Sequence, residues 1–324
     1  MTNPKITVAL TTYNRPVYLK LAIEAILSQS FSEFEFFILD NGSDIETEEL
    51  VKTYTDKRIK YLRNNINSKA FIDVVWNLAN EDYLIITHDD DIMKKDMLEK
   101  ELAILDNFHD VVAVSCNTTF IDSNGNIIKE KSLPLDSPLK INQFEYCHYL
   151  LNKGIYITFP SLLMRKSFFI KNNLKFESQV GPGSDTYLWM KANLLPSSFY
   201  IIEEPLYYYR IHDKQDSFIN KNSLSSDLFE ALFDLFVDAR YLKNLDRITN
   251  RLLKNYVINY YFKLITKEIY NKKIDILITK LKFIKHQNKL LILLFIFKNF
   301  VLLFKVYYSI LLRERVLESK FKVY

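Results

Sequence analysis

Glycine and cysteine are scarce in this 324-residue chain, which holds five of the first and two of the second. Gly42, Gly125, Gly154, Gly181 and Gly183 form neither a GxGxxG turn nor a GxxxxGK[ST] phosphate loop, so dinucleotide-dependent dehydrogenases and P-loop NTPases are not expected. Cys116 and Cys147 are too few for a disulfide scaffold, and the opening MTNPKITVALTTYNRP has too short an apolar run for a signal peptide. A reducing, cytoplasmic setting is the expectation. Internal repeats and low-complexity linkers are also missing. With 48% hydrophobic and 25% charged residues, the chain falls in the globular range and not the disordered one.

What is present is unevenly distributed. Residues 240–324 carry 19 Lys and Arg against 5 Asp and Glu, an excess of 14 positive charges. Since the whole chain has a net charge of +4, the first 239 residues carry an excess of 10 negative ones. A basic tail on an acidic body implies an anionic partner for the tail, a phospholipid surface or nucleic acid. No nucleic-acid-binding motif accompanies the charge, which favours the membrane.

Apolar strands alternate with helical spacing in the first third of the chain. Residues 5–10, 35–39, 59–62, 83–87 and 111–116 read as strands, and segments near 17–28, 46–55, 70–79 and 95–107 read as helices. This order predicts an α/β fold with a mainly parallel sheet covered on both faces, whose ligands sit beyond the carboxyl ends of the strands. DSNGN at 122–126 reads as a hairpin turn and GPGSD at 181–185 as a tight loop entering a helix. From about residue 224 the chain reads as successive helices rich in Leu, Ile, Phe, Tyr and Lys.

Polar constellations follow the strands. The first is Thr11, Thr12, Tyr13, Asn14 and Arg15, and the second runs from Asp40 to Asp44. An aspartate there can accept hydrogen bonds from a nucleobase or a ribose, while TTYNR can line base and sugar; helix capping by Thr and Asp is the alternative. Asp89, Asp90 and Asp91 come directly after the apolar YLIIT. Three adjacent carboxylates repel one another, and a hard divalent cation, Mg²⁺ or Mn²⁺, would neutralise them; a solvated, helix-capping turn is the alternative. Asp185 stands at the mouth of a helix as a general base or an N-cap. His212 leaves an aromatic strand beside Arg210 and Gln215, placed either to ligate a metal or contact a phosphate, or to satisfy structure.

VALTTYNRP, ILDNGSD, HDDD, the GSD loop and YRIH with Gln215 and Ser217 after it resemble, in order and approximate spacing, the metal-dependent family 2 glycosyltransferases of the GT-A fold. The resemblance covers roughly residues 5–218. It implies a GT-A catalytic region over 1–220, with a nucleotide-binding half to about 118 and an acceptor half from 119, followed by a basic helical region at 221–324. It implies transfer of a sugar, with inversion, from a nucleotide-diphosphate donor, UDP-linked by family preference, to a surface-glycan acceptor that is an oligosaccharide or lipid-linked. Asp40 would contact the base, with Thr11, Tyr13, Arg15, Asp89, Asp90, Arg210 and Gln215 also facing the donor. Asp91, Asp89 and His212 would hold the metal, Mn²⁺ or Mg²⁺, and Asp185 would be the base. Departures from the family pattern are His88 where many relatives carry Asp, Ser184 where many carry Glu, and no glycine in 63–77.

Two other classes fit parts of the pattern. Clustered aspartates with a histidine also suit a metal-dependent phosphohydrolase, and the same fold can serve as a non-catalytic glycan-binding scaffold. The tail leaves its own alternatives open. Residues 290–309 include 14 Leu, Ile, Val or Phe, whose insertion gain of about 4–8 kcal/mol is opposed by Lys298 and Lys305 at roughly 2.5–3.5 kcal/mol each near a bilayer centre. Spanning is near break-even, whereas lying on an anionic surface needs no such cancellation, and packing on the body is the third option. The expected location is therefore cytoplasmic and peripheral to the membrane.

Overall fold

In the computed structural model of this protein, the described residues are 5–177, 180, 183–213 and 215. They belong to one compact unit, Met1–Leu252. The basic helical region, Ser217, Gly181 and Pro182 lie outside them.

The chain opens with β1 (Ile6–Thr12), α1 (Pro16–Leu27), β2 (Phe34–Asp40), α2 (Ile45–Lys52) and β3 (Ile59–Arg63). A 3₁₀ turn, Lys69–Val74, runs into α3 (Val75–Leu78) before β4 (Tyr83–His88), β5 (Ile92–Met93) and α4 (Met97–Asn107). The long β6 (Val111–Ile121) folds back into β7 (Ile127–Lys129). Then come β8 (Leu139–Ile141), α5 (Tyr146–Lys153), β9 (Leu163–Arg165), α6 (Lys166–Lys171), α7 (Ser184–Asn193) and β10 (Ser198–Arg210).

The ten strands of the described residues form one sheet in the order β3-β2-β1-β4-β9-β6-β10-β5, with β7 on β6 and β8 on β10. The long pairings are parallel, as the strand-helix alternation predicts, and the antiparallel ones are short. β9 enters antiparallel between β4 and β6, joining the two parallel blocks. Register fixes the functional end. Thr12 lies opposite Asp40 and Thr11 opposite His88, so the loops after β1, β2 and β4 open level with one another on one edge of the sheet.

Hydrophobic spacing explains the packing. Leu19, Ala22, Ile23 and Ile26 put one stripe of α1 against Ile6, Val8, Leu10, Phe36 and Ile38 of the sheet. Pro16 occupies the first helical turn, where its missing N–H has no partner to lose. A second apolar body surrounds Trp189 of α7, whose ring lies 6.1 Å from Phe169, 6.3 Å from Phe159 and Phe176, and 6.5 Å from Phe199, centroid to centroid. Aromatic packing of this kind fixes the axis of α7 and so the place of its first turn.

The segment predicted as a helix near 70–79 forms instead a 3₁₀ turn and a single α turn, with no side-chain cap at its start. Ile72, Val74 and Val75 are β-branched and lose rotamer freedom in a regular α-helix. Burial of Val75 against the core holds the turn without regular helix.

Glu101 of α4 is fully buried beside Leu98, Leu102 and Leu105, and neither of its carboxyl oxygens has a hydrogen-bond partner. Burial pushes its carboxyl well above the ordinary carboxylate range. Its charged form is disfavoured in the fold relative to the unfolded chain. Stability therefore falls as pH rises above the unfolded value of 4.5 toward the raised folded one. Glu101→Met removes both the unpaired oxygens and this slope. It is expected to stabilise the protein at pH 7 by about 1–3 kcal/mol and to flatten the decline above pH 5. Melting curves across pH check this, and an unchanged or lower melting temperature contradicts it.

Candidate active site

Three loops meet at the functional edge and are tied to one another. Asn14 adopts a left-handed conformation, φ 52°, from which its Oδ1 accepts the Asp44 N–H at 2.7 Å and its own N–H donates to Ser43 Oγ at 2.9 Å. Asn41 donates to Asn67 Oδ1 at 2.8 Å and accepts the Ser68 N–H at 2.9 Å. Gly42 makes that approach feasible. It has φ 87°, and a Cβ there would stand 3.0 Å from the Ile66 carbonyl carbon. The TTYNR, DNGSD and 64–68 segments thus form one shelf.

Asp40 is buried within this shelf. Its Oδ1 accepts the Ser43 N–H at 2.8 Å, its Oδ2 accepts the Tyr61 hydroxyl, and Arg63 Nε stands 3.8 Å away. Asp40 therefore serves the turn, while its neighbours Leu39 and Asn41 line the adjoining cavity. Tyr13 is 41% exposed, and its backbone N–H supports Asp89.

The carboxylate triplet is buried throughout, and each member faces a different partner. Asp89 accepts the Thr12 hydroxyl at 2.6 Å and meets Arg15 Nη2 at 2.8 Å. Asp90 Oδ2 meets Arg15 Nη1 at 2.5 Å and His212 Nε2 at 3.0 Å. Asp91 accepts the Arg210 backbone N–H at 2.8 Å and the Tyr207 hydroxyl at 3.1 Å.

Their acidities diverge accordingly. Burial, reinforced by the charge of Asp90 and opposed by Arg15 and Thr12, pushes Asp89 up to about 7. Burial also acts to raise Asp90, but Arg15, His88 and His212 outweigh it and hold Asp90 below the ordinary range. Burial and the charge of Asp90 drive Asp91 well above that range. The mutual repulsion that argued for a cation in the sequence is thus met in part by Arg15.

One ligand atom from each of His88, Asp90 and Asp91 lies within 4.8 Å of the others. One imidazole with two carboxylates is a donor set that fits a hard or borderline divalent cation such as Mn²⁺. The expected set was Asp91, Asp89 and His212. Asp89 is instead turned to Thr12 and Arg15, and His212 reaches the cluster through Asp90. His88 was noted in the sequence only as a departure from family pattern. Its place at the end of β4, immediately before the triplet, is the signal that could have marked it.

Arg210 is a brace within this site. Its Nε donates to the Asp90 carbonyl at 2.8 Å, its Nη1 donates to the Asp122 and Ser123 carbonyls at 3.0 and 3.3 Å, and its guanidinium sits 4.7 Å over the Tyr18 ring. Gln215 caps it by donating to the Arg210 carbonyl at 2.6 Å. Both were expected to face the donor. Gln215 lines the cavity, whereas the Arg210 donors named here are committed to backbone.

The cavity measures about 670 Å³. Thr11, Arg15, Asn41, His88 and Asp90 line it from the strand ends, and Asp185 lines it from the first turn of α7. Phe71, Phe120, Tyr156, Phe159, Phe176 and Tyr209 form its aromatic wall. That volume is ordinary for a site holding a nucleotide-sized ligand. Gly183, at φ 95°, makes the N-cap of α7. Burial pushes the Asp185 carboxyl above its ordinary value, with the backbone N–H groups of Thr186 and Asp185 opposing. A carboxyl so placed in the cavity wall is positioned as an acceptor of protons.

Comparison with known proteins gives a consistent result. The family model described as Glycosyl transferase family 2 matches residues 7–172. An uncharacterized glycosyltransferase of Methanocaldococcus jannaschii is 34% identical over 258 residues, covering 78% of this chain and 84% of the relative. The O-antigen biosynthesis glycosyltransferase WbnJ of Escherichia coli is 29% identical over 219 residues, covering 64% of this chain and 80% of that protein. The crystal structure of S. aureus TarS 1-349 in complex with UDP-GlcNAc superposes with a TM-score of 0.61 at 19% identity, covering 79% of this chain and 72% of that one. At that identity the likeness speaks to the fold, which is the expected GT-A arrangement.

Proposed function

Because the chain belongs to glycosyl transferase family 2, we propose that it moves a hexosyl or N-acetylhexosaminyl unit, with inversion, from a UDP-sugar to a hydroxyl of a bacterial surface glycan. The observation that carries this reading is a single cavity lined by strand-end groups, by His88 and Asp90, and by Asp185. The UDP-GlcNAc complex of TarS supports the choice of donor, and the O-antigen role in the description of WbnJ supports the acceptor class of capsule, O-antigen or lipooligosaccharide.

In this reading each residue has a stated task. Thr11 and Asn41 of the shelf line the cavity and receive the nucleoside together with the exposed Tyr13, and Asp40 keeps the shelf in shape from behind. Arg15 holds Asp89 and Asp90 in place and brings positive charge to the diphosphate side of the cavity. His88, Asp90 and Asp91 would hold the divalent metal, which when bound supplies charge neutralisation to the diphosphate leaving group. His212 orients Asp90 through its 3.0 Å contact. Asp185 takes the proton from the acceptor hydroxyl as that oxygen attacks the anomeric carbon from the face opposite the leaving group. The raised pKa of Asp185 makes it a stronger base than an exposed carboxylate.

Titration of the protein with UDP, with and without Mn²⁺, tests this reading. Binding that tightens at least about tenfold with metal is expected, since the cluster and the diphosphate share its charge. Binding indifferent to metal, or absent, rejects it.

Among the described residues no helix is long and apolar enough to cross a membrane. The basic region at 221–324 is proposed to hold the enzyme peripherally on an anionic, cytoplasm-facing membrane surface, in reach of a lipid-linked acceptor. Its charge supports this. Flotation with anionic liposomes, compared between the full chain and one ending near residue 240, tests the point; equal flotation refutes it.

A further inference from the structure

Asp73 has no part in the reading above, yet it lies in the cavity wall. It sits near the end of the 3₁₀ turn Lys69–Val74. Its Oδ1 is sealed from solvent without a hydrogen-bond partner, and among the described residues no donor reaches its other oxygen. Burial raises its carboxyl above the ordinary range, opposed through space by Lys175.

Its surroundings are apolar and continuous with the metal-ligating cluster. Phe71 and Ile72 precede it in the wall. Trp76, three residues on, lies 6.1 Å from Phe176, which lies 5.0 Å from Phe159, which lies 5.6 Å from His88, centroid to centroid. The turn bearing Asp73 is also tied to the nucleoside shelf, because the Ser68 N–H that precedes it donates to Asn41 at 2.9 Å. Asp73 therefore shares the cavity wall with Phe71, Phe159, Phe176 and His88, on the turn tied to the nucleoside shelf.

An unpaired carboxylate destabilises the free protein, so a ligand that supplies its donors is the physical reason to look for. A pyranose fits the requirement. It offers neighbouring hydroxyls, which one carboxylate accepts in pairs, and an apolar C–H face that suits an aromatic wall. The same carboxylate repels a sugar bearing its own negative charge.

We infer that Asp73 is a specificity-determining residue: it accepts hydrogen bonds from hydroxyls of the transferred sugar and discriminates against sugars that carry a carboxylate. This rests on the cavity being the donor site proposed above.

The test measures dissociation constants for UDP, UDP-glucose, UDP-N-acetylglucosamine and UDP-glucuronate with Mn²⁺, together with melting temperatures, for the unaltered protein, Asp73→Asn and Asp73→Ala. The unaltered protein is expected to bind one of the neutral donors at least about tenfold more tightly than the glucuronate. In both variants that ratio falls toward one, UDP affinity stays within about twofold, and the melting temperature holds or rises because no protein hydrogen bond is lost. A ratio near one in the unaltered protein, or one that persists in both variants, overturns the inference. A lower melting temperature with parallel loss of UDP affinity also overturns it, by assigning Asp73 to structure. Failure of the unaltered protein to bind UDP at all rejects the donor reading and this inference with it, which separates the two failures.

Discussion

Asp185→Asn is expected to lower sugar transfer by about 10²–10⁴-fold while leaving UDP affinity within a few-fold, because a positioned general base contributes about that much and takes no part in holding the nucleotide. The structure makes this a clean substitution. Gly183 supplies the N-cap backbone, Trp189 anchors the helix one turn further on, and an asparagine Oδ1 can still accept the Thr186 and residue-185 backbone N–H groups. Asparagine preserves shape and removes the base. Its effect on stability has a definite sign. A carboxyl whose folded pKa is raised loses stability as pH rises above its unfolded value, so the variant is expected to be equal or more stable near neutral pH. The same shift predicts that the acid limb of the transfer profile lies above the ordinary carboxylate value of 3.8 and vanishes in Asp185→Asn. Turnover measured by release of UDP in the presence of acceptor decides the matter, and a variant retaining more than about a tenth of activity excludes Asp185 as the base.

Asp91→Ala should be costly twice over. Asp91 is fully buried and accepts the Arg210 backbone N–H and the Tyr207 hydroxyl. Removing it strands the buried Arg210 N–H and takes one of the two partners of the Tyr207 hydroxyl, which keeps Thr87, for a loss of roughly 2–4 kcal/mol in stability. It also removes one of three atoms proposed to hold the metal, so Mn²⁺-linked UDP affinity should fall by more than about 100-fold, beyond the effect of losing a group that merely orients a ligand. His88→Ala separates the two consequences. His88 is only partly buried and packs edge-on against Phe159, so its loss should weaken metal-linked binding with a smaller fall in melting temperature. Calorimetric titration of both variants with Mn²⁺ and UDP, beside their melting curves, checks the pair. Unchanged metal dependence in both would remove this cluster from consideration as a cation site.

Much of this arrangement is legible in the chain. The apolar runs ending in Thr12, Asp40 and His88 mark the strands because fully buried parallel strands need continuous apolar sequence. β6 runs on to Ile121, past the predicted end at 116. The polar run Asn117, Thr118, Thr119 breaks the apolar pattern, but β10 pairs along it and Asn117 binds the Leu133 backbone, so those polar groups are satisfied inside the protein. β5 and β9, two and three residues long, were too short for periodicity to declare. Asp73 escaped notice for another reason. A single carboxylate in an apolar segment is unremarkable until the segment is seen to line a cavity.

The sequence by itself determined where the polar groups emerge, since a strand followed by a helix must release its turn at one edge of the sheet. Only the tertiary structure decided which partner each group meets. Three consecutive aspartates look equivalent in a string, but successive side chains on an extended turn point in different directions. Asp89 therefore meets Arg15, Asp90 meets His212, and Asp91 meets Tyr207 and the Arg210 backbone from β10, more than a hundred residues away in the chain. Local spacing carries no information about such distant contacts, because they are set by the order in which strands lie in the sheet.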